Sequence, residues 1–315
     1  MRLAYFGTPV EAVPPLEAMV AAGHDVACVV TQPDRRRGRG SATTPSPVRA
    51  AAEALGLPVR TPARARECAA ELADLGLDAG VVVAFGQLLP PAVLATGRLG
   101  FVNLHFSRLP RWRGAAPVER AILAGDDETG VCVMALDEGM DTGPVLAEVT
   151  TAIGPEETAG ALRARLVALG TPLLVEVLGD PAGWTPRPQV GEATHAAKCT
   201  VEEFALDWSR PAEELVRRVR AGNPRPGAWT TVGDRRLKVL RARVGSEPVG
   251  TVDGPAGPPG PPGTVTPAGA VVTGAGLLVL DEVQPEGRAP MAATAWRAGL
   301  RGASVRLGTS GPADR

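Results

Sequence analysis

The chain has 315 residues, enough for two domains with buried cores, and 44% of them are hydrophobic against 21% charged. That balance is the one expected of a soluble globular protein; it excludes a disordered chain, and no apolar run approaches membrane-spanning length. A formal net charge of −1 excludes a general polyanion binder, so any nucleic-acid contact has to come from a local patch.

Residues 2–6 read as a buried strand closed by the turn Gly7-Thr8-Pro9. Pro14 suits the first turn of a helix that runs through LEAMVAAG and stops at Gly23, and residues 26–31 read as a second strand, so the chain opens with β-α-β spacing. No G-x-G-x-x-G follows the first strand, which argues against a dinucleotide-binding unit. The opening residues enter that strand directly, and no secretory leader is expected. Four arginines, Arg35, Arg36, Arg37 and Arg39, then stand in the loop 32–41. Charge alone leaves open whether this loop tracks phosphates or is a solvated surface. Helical patterns at 48–55 and 65–75 precede an apolar run at 79–85, read as a central strand buried on both faces and closing with Gly86-Gln87-Leu88-Leu89-Pro90.

The stretch 99–144 carries the candidate chemistry. Phe101 and Val102 lead into Asn103 and His105, which alternate with Leu104, so the two polar side chains share one face of a strand. The strand breaks at Leu109-Pro110 into the loop Arg111-Trp112-Arg113-Gly114. A second apolar run, 131–136, exits through a turn-rich segment that carries Asp141, 36 residues after the histidine (141 − 105). These residue types suit acyl transfer from an amide-like donor to an amine. An Asn amide is a neutral donor for an oxyanion, a His exchanges protons near working pH, and an Asp orients the imidazole or favours its charged form. No Ser or Cys is partnered with the histidine, which favours direct transfer over a covalent acyl-enzyme. Each residue also has a structural reading, because strand-end histidines are commonly structural and Asn and Asp in turns commonly cap backbone groups.

Helices are expected at 117–124 and 156–178. Pro181, Gly183, Pro186 and Pro188 then mark a linker, with His195 and Lys198 as surface residues beyond it. Ser209 is placed to cap a helix with Pro211 in its first turn and Leu215, Val216 and Val219 on its apolar face. Short strand-like runs at 228–232, 237–244, 263–266, 270–273 and 276–283 suggest a small OB-like barrel, with GPAGPPGPPG at 254–263 as a loop and a last helix at 292–300. Cys28, Cys68, Cys132 and Cys199 form no C-x-x-C pair, so neither a metal nor a disulfide framework is expected, in keeping with a reducing cytoplasm. The expected architecture is α/β: a Rossmann-like parallel-sheet catalytic domain at 1–186, a linker at 187–204, an OB-like β-barrel domain at 205–308 and a frayed tail at 309–315.

The wording of several segments is more specific. NLHFSRLPRWRGAAP followed by GDDETGVCVMALDEGMDTGP, PDRRRGRG followed by SPV, and the later DWS and NPRPGAW resemble the methionyl-tRNA formyltransferase family and, more loosely, the wider group of folate-dependent formyltransferases, over about the whole chain. The resemblance implies that Asn103, His105 and Asp141 form a catalytic trio. It implies 10-formyltetrahydrofolate as formyl donor, with no metal, in a site lined by Ser107, Arg108, Leu109 and Pro110, the backbone around Phe85, Gly86 and Leu88 holding the pterin ring. It implies that Arg35, Arg36, Arg37 and Arg39 meet the acceptor arm of an initiator methionyl-tRNA, and that the protein works as a monomer. Phe106 stands where a small residue is usual and Arg108 where a leucine is usual; both bear on pocket shape. They motivate an alternative in which the same donor formylates a small amine such as an amino sugar. A formyltetrahydrofolate hydrolase and a non-enzymatic tRNA-binding protein are further readings.

Overall fold

The computed structural model describes residues 1–36, 43–245, 260–300 and 305–308. The chain divides into two compact units, the first formed by Met1–Pro117, Glu128–Ala152 and Arg163–Lys198 and the second by Val118–Asp127, Ile153–Leu162 and Cys199–Arg315.

Seven strands make the sheet of the first unit: β1 (Arg2–Gly7), β2 (Asp25–Val30), β3 (Val59–Arg60), β4 (Ala79–Val83), β5 (Phe101–His105), β6 (Glu128–Ala135) and β7 (Val145–Ala152). Their order is β7-β6-β5-β4-β1-β2-β3. The five from β5 to β3 are parallel, and β6 and β7 continue the sheet antiparallel. The parallel part follows from composition. All five residues of β4 are buried, as are residues 3 to 6 of β1, and a strand covered on both faces must be apolar throughout. Phe6 anchors this core by meeting Phe85 and Phe101 edge-on, with ring centroids 5.2 and 5.7 Å apart. The helix Val13–Ala21 joins β1 to β2 and is followed by Gly23 at φ 80°, as the opening pattern requires.

The observed elements depart from the expected ones in a few places. The pattern at 65–75 splits into a 3-10 turn, Ala65–Cys68, and a short helix, Ala69–Asp74. The long helix begins at Ala159 rather than 156, because the Thr158 hydroxyl accepts the Ala161 N–H at 3.3 Å and Glu157 is drawn back to the Gly154 N–H. Strand β7 has no counterpart among the expected elements; it is an edge strand with only its alternate residues covered, so its apolar signal is thin. Pro211, not Ser209, occupies the N-cap of the helix Ala212–Gly222, since both the Ser209 N–H and its hydroxyl are taken by the Asp207 carboxylate.

The second unit is built on an antiparallel sheet of β8 (Ala228–Val232), β9 (Arg235–Gly245), β10 (Ala270–Val272), β11 (Leu277–Pro285) and β12 (Met291–Ala292), ordered β8-β9-β11-β10 with β12 on β11. Three isolated bridges close the ring: Val265 pairs with Val271 of β10, Thr264 with Arg306, and Leu307 with Val232 of β8. The result is the barrel expected from the short-strand pattern. Leu215 and Val219 of the helix Ala212–Gly222 pack in the same apolar cluster as Leu237, Val239, Leu278 and Val283 of the sheet. The buried Trp208 indole donates to Thr230 Oγ1 at 3.0 Å. Among the described residues no helix is long and apolar enough to cross a membrane.

At the amino end of β4, Asp78 accepts the Arg2 backbone N–H at 2.8 Å and the Arg98 guanidinium at 2.8 Å, and these donors hold its carboxyl below the usual carboxylate range. A depressed folded value stabilises the fold above the unfolded pKa of about 3.9, and that contribution disappears as pH falls through the folded value. Asp78→Ala is expected to lower the midpoint of thermal unfolding followed by circular dichroism at pH 7, with the gap from wild type narrowing in scans below about pH 3. A gap that does not change with pH would overturn this account.

Candidate active site

Strand β5 delivers two polar side chains to one face of the sheet and Leu104 to the other, where Leu104 packs against Gly170 of the helix Ala159–Gly179. His105 is 5% exposed. Its Nε2 lies 3.0 Å from the Trp112 carbonyl oxygen, which only accepts, so Nε2 carries the proton and Nδ1 turns toward Asp141, 3.7 Å from Oδ2. The Asn103 Nδ2 donates to the other carboxylate oxygen at 3.4 Å, and the Gly114 N–H donates to Oδ2 at 2.8 Å. One carboxylate therefore faces both strand residues.

That carboxylate sits on a constrained turn. Asp141 has φ 53°, a left-handed conformation that costs a non-glycine residue roughly 1 kcal/mol or more. Side chains around the turn hold it. Gln189 Nε2 donates to the Asp141 and Gly143 carbonyls at 2.8 and 2.7 Å, and Asp137 Oδ1 accepts the Gly139 N–H at 3.0 Å and the Thr142 hydroxyl at 2.6 Å. Two glycines are required here. A Cβ on Gly143 would stand 1.9 Å from the Ala135 carbonyl oxygen, and Gly114, at φ 118°, would place one 2.9 Å from the Ala196 carbonyl.

Asn103, His105 and Asp141 open onto a cavity of about 380 Å³ whose other walls are mainly apolar, among them Val82, Phe85, Leu94, Leu136 and Met140. Phe85, Gly86 and Leu88, singled out from the sequence, line it, as does Phe106. The Phe85 carbonyl is held from behind by Gln32 Nε2 at 3.2 Å and the Thr8 hydroxyl at 3.4 Å. Ser107, Arg108, Leu109 and Pro110 stand outside the lining. Ser107 is buried and donates to the Arg111 carbonyl at 2.6 Å, Arg108 pairs with Glu128, and Leu109, joined to Pro110 by a cis peptide, packs with Cys132, Met134 and Val145. The Arg108 side chain thus turns toward a surface ion pair. Arg35 and Arg36 pair through their backbones with Thr44 and Thr43; Arg37 and Arg39 lie outside the described residues. Among the described residues no group of three or more His, Cys, Asp and Glu side chains is placed to hold a metal ion.

Four groups that hold this arrangement were not visible in the sequence: the Trp112 carbonyl, the Gly114 N–H, and the side chains of Gln189 and of Arg113, which donates to Gln189 Oε1 at 3.0 and 2.6 Å. Backbone groups carry no residue-type signal. Gln189 sits in a proline-rich run that reads as a linker, yet this run is stitched to the site loops. Arg187 and Val145 exchange backbone hydrogen bonds at 2.9 and 2.8 Å, the Thr194 hydroxyl accepts the Trp112 N–H at 2.9 Å, and His195–Ala196 pairs with Arg113–Gly114.

Residues 1–178 match the formyl transferase family model and residues 198–301 the model of the formyl transferase C-terminal domain. The chain is 48% identical to the methionyl-tRNA formyltransferase of Roseobacter denitrificans over 98% of each chain, and 48% identical to that of Frankia casuarinae over 96% of this chain and 94% of the relative. In fold it resembles HypX from Aquifex aeolicus, solved in complex with tetrahydrofolic acid, with a TM-score of 0.64, 16% identity and coverage of 96% of this chain and 48% of that one.

Cys132 of β6 is the register partner of His105, so a thiol lies beside the imidazole on the same face of the sheet. Burial pushes this thiol up to about 12; a backbone hydrogen bond from Leu109 opposes it in part, and the negative charges of Glu148 and Asp141 add a lesser upward push, so it stays protonated and unreactive. Iodoacetamide at pH 8 is expected to leave Cys132 unmodified in the native protein and to label it after denaturation, as read by peptide mass spectrometry. Rapid native labelling at Cys132 would show a thiolate beside His105.

Proposed function

Since the chain belongs to the methionyl-tRNA formyltransferase family, we propose that it transfers the formyl group of 10-formyltetrahydrofolate to the α-amino group of methionyl initiator tRNA. The observation that carries this reading is the convergence of Asn103 and His105 on Asp141, 3.4 and 3.7 Å from its carboxylate oxygens, at a largely apolar cavity. A cavity of about 380 Å³ is in the range that takes a drug-sized ligand. Phe85, Gly86 and Leu88 offer it an apolar wall and backbone groups for a pterin ring.

The amine attacks the formyl carbon, a new C–N bond forms, and the bond from that carbon to the folate nitrogen breaks. Oxygen charge grows between the two events. The Asn103 amide has two N–H groups; one is directed at Asp141 and the second serves the developing oxyanion. His105 Nδ1 takes the proton released by the attacking amine and returns one to the departing nitrogen, while Nε2 stays anchored to the Trp112 carbonyl. Asp141, 3.7 Å from Nδ1, stabilises the imidazolium in between, and the apolar walls strengthen that interaction by keeping the local dielectric low. The reading extends to a cytoplasmic monomer whose basic loop, Arg35, Arg36, Arg37 and Arg39, grips the tRNA acceptor arm.

Purified protein with 10-formyltetrahydrofolate is expected to formylate methionyl initiator tRNA and neither elongator methionyl-tRNA nor free methionine. Release of tetrahydrofolate without formylated tRNA would instead indicate a hydrolase, and formylation of a small amine alone would overturn the tRNA assignment. Asn103→Ala and His105→Ala are each expected to lower turnover by about two to four orders of magnitude; near-wild-type turnover in either variant removes that residue from the mechanism. Replacing Arg35, Arg36, Arg37 and Arg39 together with alanine is expected to weaken tRNA binding and flatten its dependence on salt, by up to about 0.9 in log–log slope for each phosphate no longer neutralised. An unchanged slope would make the loop a solvated surface.

A further inference from the structure

We propose that Gln189 is a positioning residue for this reaction, its side-chain amide fixing the turn that aims Asp141 at His105 and Asn103. The inference rests on the formyl-transfer reading and adds to it a residue outside the trio. Gln189 is the half-buried polar residue in an otherwise exposed stretch, 185–190. All of its hydrogen-bonding capacity is used. Nε2 donates to the Asp141 carbonyl at 2.8 Å and the Gly143 carbonyl at 2.7 Å, and Oε1 accepts from Arg113 Nε at 3.0 Å and Nη2 at 2.6 Å. The chemistry of the partners fixes the amide's orientation, because a guanidinium only donates and a carbonyl only accepts.

The consequence lies in the roles of these partners. Asp141 and Gly143 bracket the left-handed turn, so the two Nε2 bonds hold the backbone from which the Asp141 carboxylate projects. Arg113 lies between Trp112, whose carbonyl anchors His105 Nε2, and Gly114, whose N–H holds Asp141 Oδ2. One neutral side chain therefore joins the loop that anchors the imidazole to the turn that supplies the carboxylate. A glutamate of the same length would keep the acceptors for Arg113 but face two carbonyl oxygens with a third acceptor, so the position calls for an amide.

The test uses the full-length protein with donor and methionyl initiator tRNA, and four variants: Gln189→Met, which keeps the volume, Gln189→Glu, Asp141→Asn, and Gln189→Met combined with Asp141→Asn. Gln189→Met and Gln189→Glu are each expected to lower kcat by about ten- to a hundredfold, the size of effect a misplaced reacting group produces, with KM for donor and tRNA within about threefold of wild type. In the Asp141→Asn background the further loss from Gln189→Met is expected to shrink to less than about twofold, because residues acting through one another are not additive. A Gln189→Met enzyme with wild-type kcat, a Gln189→Glu enzyme restored to wild-type kcat, or a full additional loss in the Asp141→Asn background would each overturn the proposal. A wild-type protein that does not formylate the tRNA would overturn the function it rests on instead.

Discussion

A single carboxylate, Asp141, has to face an amide and an imidazole at once, and the strand before it ends in the wrong place to deliver it. Strand β6 runs antiparallel to β5 and leaves the sheet at Ala135, opposite Val102, while the groups it must serve lie further along β5 at Asn103 and His105. The chain therefore has to double back between Leu136 and Pro144. A left-handed residue at 141, a glycine at 143 that no Cβ can replace, and the Asp137 bonds to Gly139 and Thr142 are the local means of doing so. The conformation is unfavourable for an aspartate and persists because the surroundings over-determine it, as is common where strain and chemistry coincide.

The sheet supplies the rest of the geometry. Alternation along β5 puts Asn103 and His105 on one face whatever the path of the loop after the strand, and the parallel pairing of β4 with β5 sets Phe85 and Gly86 beside them at the carboxyl ends of the strands, where open α/β sheets place their ligands. The edge is different in kind. Antiparallel β6 and β7 add no residue to the trio by their own strands, but their connection carries Asp141.

The central strands β1, β2, β4, β5 and β6, the alternation at 103–105 and the turn at 137–143 were legible in the sequence because each is a short-range property of residue type: apolar runs, period two, glycine and aspartate in a turn. The second unit was legible for the same reason, its barrel being short strands separated by turns. What was not legible depends on long-range pairing. Gln189 lies 48 residues from Asp141, and a proline-rich run gives no hint that one of its side chains turns inward. Ser107 to Pro110 illustrate the reverse case. The wording matches a folate-lining element, yet in this fold the hydroxyl is spent on the Arg111 carbonyl, the arginine on Glu128 and the leucine on the core behind the site.

The cavity lining also bears on how the acyl group travels. Among the described residues it contains no serine, threonine, cysteine or lysine, so no hydroxyl, thiol or amine of these side chains is placed to accept the formyl group on its way. The neighbouring thiol, Cys132, is buried and stays protonated beside the imidazole, and the neighbouring serine, Ser107, is buried with its proton committed to a carbonyl. A direct attack then has a specific requirement. On the proposed direct transfer, the incoming amine and the formyl carbon meet in front of Asn103 and His105 with both partners held by binding energy alone, because that route stores the acyl group on no protein side chain between two separate encounters. The rigid part of the site accordingly belongs to the protein's own groups, and holding the imidazole, amide and carboxylate in one arrangement before either substrate arrives is what the ring of hydrogen bonds through Trp112, Gly114 and the turn at Asp141 accomplishes.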